Sequence, residues 1–206
     1  MRSGVASPIR RDGGAVQRIG DRPKKAVQNS TRRQRAELTM LLIFESCNEC
    51  GFNGEEWSDA AAISAIAGLP TRFANAAAGL SSDDLLRRPV DGQWSIAEYA
   101  DHVREVLFGM RFLLDIAVTQ PGTDLGESPS SAFEPGPRQI DIDAALVGIE
   151  REATSLLRTF SELSPNEWHS TVTLDGANVD PHWIVRHAVH DSTHHLLDIE
   201  RLRQAL

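Results

Sequence analysis

The sequence predicts an all-α fold, a four-helix bundle with a long crossover loop and a flexible N-terminal tail. Three observations carry that expectation. Four long stretches place apolar residues at helical spacing, Ser or Asp stands where several of them begin, and two long connections separate them. With 206 residues, 41% of them hydrophobic, the chain has apolar material for one core and an appendage. The expected divisions are a basic tail over 1–40, a lead-in segment over 41–57 and the bundle over 58–206.

The first helix is expected from Ser58, its N-cap, to about Gly79, with Ile63, Ile66, Phe73 and Leu80 on one side and a kink at Pro70. Ser81 to Leu86 reads as a short capped turn that stops before Pro89. A second long helix follows Ser95, where Ser95-Ile96-Ala97-Glu98 has the capping-box pattern. Its stripe is Tyr99, Val103, Val106, Met110, Leu113 and Ala117, with His102 beside that stripe. Four prolines between Gln120 and Gln139 mark a long crossover or lid-like loop. The third helix has the cleanest repeat: Ile142, Leu146, Ile149, Ala153, Leu156, Phe160 and Leu163. Ser164-Pro165-Asn166-Glu167 begins a short turn, and Asp175-Gly176 suits a hairpin within Thr171 to Val179. The last long helix opens with Asp180 as N-cap and Pro181 at its first position.

Charge divides the chain unevenly. Residues 1–40 hold ten basic side chains against three acidic ones, a balance of +7, and the remainder holds 11 against 26, a balance of −15. An acidic body repels phosphate backbones, so it is not expected to bind nucleic acid. Basic, polar sequence without apolar periodicity is expected to be disordered. Both lysines lie in the tail, and ordered-looking sequence begins at Met40, so Met40 is a candidate start; a native flexible tail explains the same pattern. No secretory signal or membrane span is visible, and the chain is expected to be cytoplasmic, with room for a homodimer.

The chemistry-bearing residues are concentrated. Five of the seven histidines fall between His182 and His195, a clustering that favours a shared role over scattered core positions. His190 and His194 are four apart and share a helical face, so both can address one ion. A third imidazole from a packed neighbour, with His102 the natural partner, completes a facial three-histidine set with open positions. His187 is the rival ligand; His195 is read as pointing elsewhere, and His169 and His182 as surface or loop residues. Asp101, Glu105 and Asp191 are candidates to orient an imidazole or accept a proton. Arg104 is a candidate contact for an anionic cofactor, with a surface salt bridge as the plainer reading. The Cys47-x-x-Cys50 pair is half of a zinc ribbon; recruiting a histidine for a small structural site, a redox disulfide, or capping the turn before Gly51 all remain open, and the pair is kept out of the catalytic set.

Tyr99-Ala100-Asp101-His102-Val103-Arg104 after Trp94-Ser95, together with the run from His190 to Ile199, resembles the DinB/YfiT-like superfamily over about residues 58 to 204. Cys47-Asn48-Glu49-Cys50-Gly51-Phe52 resembles the lead-in of actinobacterial members. The resemblance implies a four-helix bundle holding one divalent metal ion, zinc or nickel, on His102, His190 and His194. It also implies an activity among thiol-using transferases of the mycothiol type, or a related isomerase or hydrolase, with a low-molecular-weight thiol as a second cofactor. The competing expectation is a non-catalytic, metal-binding or stress-associated bundle.

Overall fold

The computed structural model describes residues 45–89, 93–128 and 140–206. The basic tail and Met40 lie outside them, as does the part of the crossover from 129 to 139. Four long helices, α1 (Asp59–Ala77), α3 (Ile96–Thr119), α4 (Ile142–Glu162) and α5 (Pro181–Ala205), are joined by a short helix α2 (Ser82–Leu86) and a hairpin of β1 (Val172–Leu174) and β2 (Ala177–Val179).

Each long helix begins where a side chain takes over a free backbone N–H. Ser58 accepts from Ala61, Asp141 from Asp143 and Ala144, and Asp180 from Trp183. At α3 the expected capping box is complete: Glu98 donates its N–H to Ser95 Oγ and returns its carboxylate to the Ser95 amide, while also pairing with Arg88. Pro70 does not interrupt α1, which is helical on both sides of it. The buried side of α1 is Ala62, Ile66, Leu69 and Phe73, so the expected stripe shifts: Leu69 joins it, and Ile63 and Leu80 are only partly covered.

Packing runs in a ring, with α1 against α4 and α5 and with α3 against the same two. Thus α1 faces α3 across the core and α4 faces α5. Leu107, Leu114, Ile149, Leu156, Ile184 and Ile199 fill the middle. Where α3 meets α4, Gly148 makes room for the Arg104 side chain, because a Cβ there would lie 2.3 Å from Arg104 Cδ. Glu152 is buried on α4 and is paired there with Arg111 at 3.2 Å and Arg151 at 2.9 Å. Asp175 and Gly176 both take positive φ, 52° and 76°, which gives the hairpin its tight two-residue turn.

The first part of the crossover is not a free lid. Residues 122–126 run alongside β1, where Gly122 donates to Thr171, Leu125 to Thr173 and Thr173 back to Thr123. Those bonds occupy a strand edge that would otherwise be bare. No helix among the described residues is long and apolar enough to cross a membrane.

The cap that starts α3 supports the helix carrying His102. Ser95→Ala should lower global stability by about 1 kcal/mol in chemical denaturation, because it removes one side of the capping box. An unchanged midpoint would show that packing alone fixes the start of α3.

Candidate metal centre

Successive residues of an α-helix are turned by about 100°, so the pairs His190/His194 and Asp191/His195 leave α5 in different directions. Each pair has the spacing for a shared ion, and each meets a different neighbour. His190 and His194 gather with Cys47 and Cys50 of the segment before α1, and Asp191 and His195 gather with His102 of α3. The three histidines expected to act together therefore do not share one ligand group. His102 belongs to one cluster, and His190 and His194 to the other.

In the cluster facing α3, Asp191 Oδ1 is buried and has no hydrogen-bond partner among the described residues. The Nε2 atoms of His102 and His195 lie 3.7 and 3.8 Å from it. Those distances exceed hydrogen-bond length, and are a few tenths above the roughly 3.4 Å that separates two ligand atoms on one tetrahedral ion. Burial opposes ionisation of Asp191, yet the two imidazoles outweigh it and hold the carboxyl below the usual range. Burial also holds His195 below the usual histidine value and so favours its neutral, ligating form. Its Nδ1 is 3.1 Å from Asp198 Oδ2; donation there leaves the Nε2 lone pair toward Asp191. Trp94 and Tyr99 wall the cluster, with Trp94 edge-on to His102 at 4.9 Å and Tyr99 5.1 Å from the His195 ring.

The cluster facing the lead-in has a different donor set. Cys47 Sγ lies 3.6 Å from His194 Nδ1. His190 Nδ1 is 2.9 Å from Glu45 Oε2, which leaves Nε2 for the sulfurs, and the other Glu45 oxygen takes His187 at 2.8 Å. Burial opposes ionisation of Glu45, but hydrogen bonds from His187 and His190 bring its carboxyl down to about 2. Glu45 in turn raises His190 to about 9, against the effect of burial. Hydrogen bonding from His190, helped by the Cys50 amide, lowers the Cys47 thiol to about 6, whereas burial pushes Cys50 up.

The remaining expectations divide. Asp191, expected to stand behind a ligand, lies in one candidate ligand group with His102 and His195. Asp101 and Glu105 hold Arg104 at 2.7 and 3.3 Å, so Arg104 takes the salt-bridge role considered for it. His187 serves Glu45 and stacks on Trp183, and His182 bonds Asp59 at 2.9 Å. His195, expected to point elsewhere, faces His102 with ring centres 4.8 Å apart. Glu45 and Asp198 were not singled out from sequence. Asp198 had a legible signal, lying three residues after His195 and four after His194, whereas Glu45 reaches its partners across 142 and 145 residues and left none.

Tyr99 is the sole tyrosine, so its ionisation can be followed alone. Burial first, then the charge of Asp198, pushes its phenol up to about 12. An unfolded chain loses that proton near pH 10, so the folded state is increasingly disfavoured as pH rises from about 10 to 12. Absorbance titration should show tyrosinate appearing near pH 12 or together with unfolding; a folded-state transition centred at pH 10 would contradict this burial.

No curated protein matches the chain in sequence. The solved structure of YfiT from Bacillus subtilis, described as a probable metal-dependent hydrolase with an unusual four-helix bundle topology, superposes with a TM-score of 0.66 at 13% identity, covering 80% of this chain and 97% of that one. That likeness establishes the fold. A family model for the DinB superfamily matches residues 65–199, a span that takes in α3, α4 and most of α5 but neither cysteine. With a match over most of its length, the chain belongs to the DinB superfamily.

Proposed function

We propose that the chain is a metal-dependent enzyme whose divalent ion, zinc or nickel, is held by His102, Asp191 and His195, and which activates the thiol of a small cofactor of the mycothiol type for transfer to an electrophile. The observation that carries this reading is the buried Asp191 oxygen, without a hydrogen-bond partner among the described residues and flanked by two imidazole nitrogens at 3.7 and 3.8 Å. Two imidazoles and a carboxylate suit such ions, and three protein ligands leave room for an exchangeable one. When bound, the ion supplies Lewis acidity that lowers the pKa of a coordinated thiol or water.

The chain's own residues do the rest. Asp198 orients His195, burial favours neutral His195, and Asp191 stays ionised beside its imidazole partners. Trp94 and Tyr99 give the centre an apolar wall on the α3 side, which strengthens electrostatic interactions at the cluster. The description of YfiT as a probable metal-dependent hydrolase is in line with metal-dependent chemistry, with water in place of the thiol as the second reading. This assignment keeps His102 from the set read in the sequence and replaces its other two members.

His195→Ala should remove one divalent ion per chain and abolish turnover in a panel of thiol-conjugation and ester-hydrolysis assays, while circular dichroism keeps its helical signal. Asp198→Asn should weaken metal binding by about 10- to 100-fold, because it disturbs the tautomer of a ligand without removing it. Wild-type metal content and turnover in His195→Ala would sink the ligand assignment. A wild type that holds the ion but is inert toward every thiol acceptor and ester would establish the non-catalytic reading.

A further inference from the structure

The segment before α1 is fastened to α5 with few apolar contacts. Phe52 is its large buried side chain, stacked on His190 at 4.7 Å, and Trp57 is only partly covered. Arg186 donates to the Gly54 and Trp57 carbonyls, and Arg201 to that of Glu49. Regular structure is nearly absent, limited to a single bridge between Ser46 and Asn53 and one short 3₁₀ turn, Gly54–Glu56. So little burial leaves a short segment open to local fraying unless something else ties it down.

The two cysteines stand where that tie is needed. Cys47 and Cys50 bracket a tight turn closed by the Gly51 amide on the Cys47 carbonyl and by the Cys47 amide on the Phe52 carbonyl, with Gly51 at a φ of 74°. Both thiols are free, and both lie on the His190 and His194 side of α5. The four ligand atoms fall within 4.8 Å of one another. With zinc–sulfur and zinc–nitrogen bonds of about 2.3 and 2.05 Å, a tetrahedral ion separates its sulfur and nitrogen ligands by about 3.6 Å. Cys47 Sγ and His194 Nδ1 are 3.6 Å apart. Glu45 supplies the carboxylate that commonly backs a zinc-bound histidine, since it takes the other nitrogen of His190 at 2.9 Å.

We infer that Cys47, Cys50, His190 and His194 form a closed, four-ligand zinc site that clips the lead-in segment onto α5, separate from the centre at His102, Asp191 and His195. Two thiolates and two imidazoles fill the tetrahedral shell, so this ion has no position for substrate and its part is structural. The two centres are neighbours through Asp198, whose Oδ2 lies 3.1 Å from His195 Nδ1 and 3.6 Å from His194 Nε2. The inference does not depend on the proposed activity.

The test uses the full chain purified from zinc-supplemented cells, with elemental analysis and with cobalt(II) exchanged for zinc. Wild type should show the near-ultraviolet sulfur-to-cobalt charge-transfer bands of thiolate ligation. Cys50→Ser should lose one zinc per chain together with those bands, and proteolysis should then cut within residues 45–57 much faster. Cys50→His should keep the ion with weaker charge-transfer intensity and near-wild-type resistance, which separates loss of the ion from misfolding of the turn. His102→Gln should retain the full sulfur-to-cobalt bands, so a failure of the activity proposal leaves this result intact. Cys50→Ser with unchanged zinc content, or a wild type whose cysteines are joined as a disulfide and bind no zinc, would overturn the inference.

Discussion

Imidazoles and carboxylates removed from water cost free energy unless each finds a partner, and α5 carries five such groups between His190 and Asp198. Its fully buried positions, Ile184, Ala188, Ser192 and Ile199 among them, are spent on the core, so the polar groups must leave along its flanks. One flank meets α3 and the other meets the segment before α1. The bundle's ring of contacts fixes the first of these, because α5 has α3 and α1 as neighbours and faces α4 across the core. Among the described residues, no long helix covers the second flank. Glu45, Phe52 and the two cysteines cover it instead, at the expense of ordering a segment with little regular structure.

Both clusters are finished from behind by a carboxylate. Glu45 bridges His187 and His190, and Asp198 stands between His194 and His195. Such a partner does more than neutralise charge. By taking one ring N–H it dictates which nitrogen keeps a lone pair, and so which way the ligand faces. Asp191 differs, because its buried Oδ1 faces two imidazole nitrogens at 3.7 and 3.8 Å, beyond hydrogen-bond length, which is the observation behind its proposed place as a ligand.

Much of the fold was legible because helix boundaries are local. Ser58, Ser95 and Asp180 cap the helices they were expected to cap, and Asp175-Gly176 turns the hairpin. The stripes of α3 and α4 hold at their centres, from Val103 to Ala117 and from Ile149 to Phe160, and are only partly covered at Tyr99, Ile142 and Leu163. The centre was legible in composition but not in partition. His190-Asp191-Ser192-Thr193-His194-His195 contains two interleaved four-residue pairs. Spacing alone treats them alike, and only the identity of each neighbour decides which pair meets His102. The cysteines posed the same difficulty from the other side, because 147 residues separate Cys47 from His194.

The partition bears on how the two centres adjoin one another. His194 and His195 are consecutive and point about 100° apart, yet one carboxylate lies between them. Asp198 Oδ2 is 3.1 Å from His195 Nδ1 and 3.6 Å from His194 Nε2, so one carboxylate faces a ring of each candidate group. Asp198 sits on the last turns of a helix held by Ile199 and Leu202 in the core, so its reach is short and its choice between the two rings is competitive. His194 meets Cys47 on Nδ1 and Asp198 on Nε2 at the same distance, 3.6 Å. The segment before the bundle thus covers a flank of α5 and, with Cys47 beside His194, lies one carboxylate away from the group that faces α3.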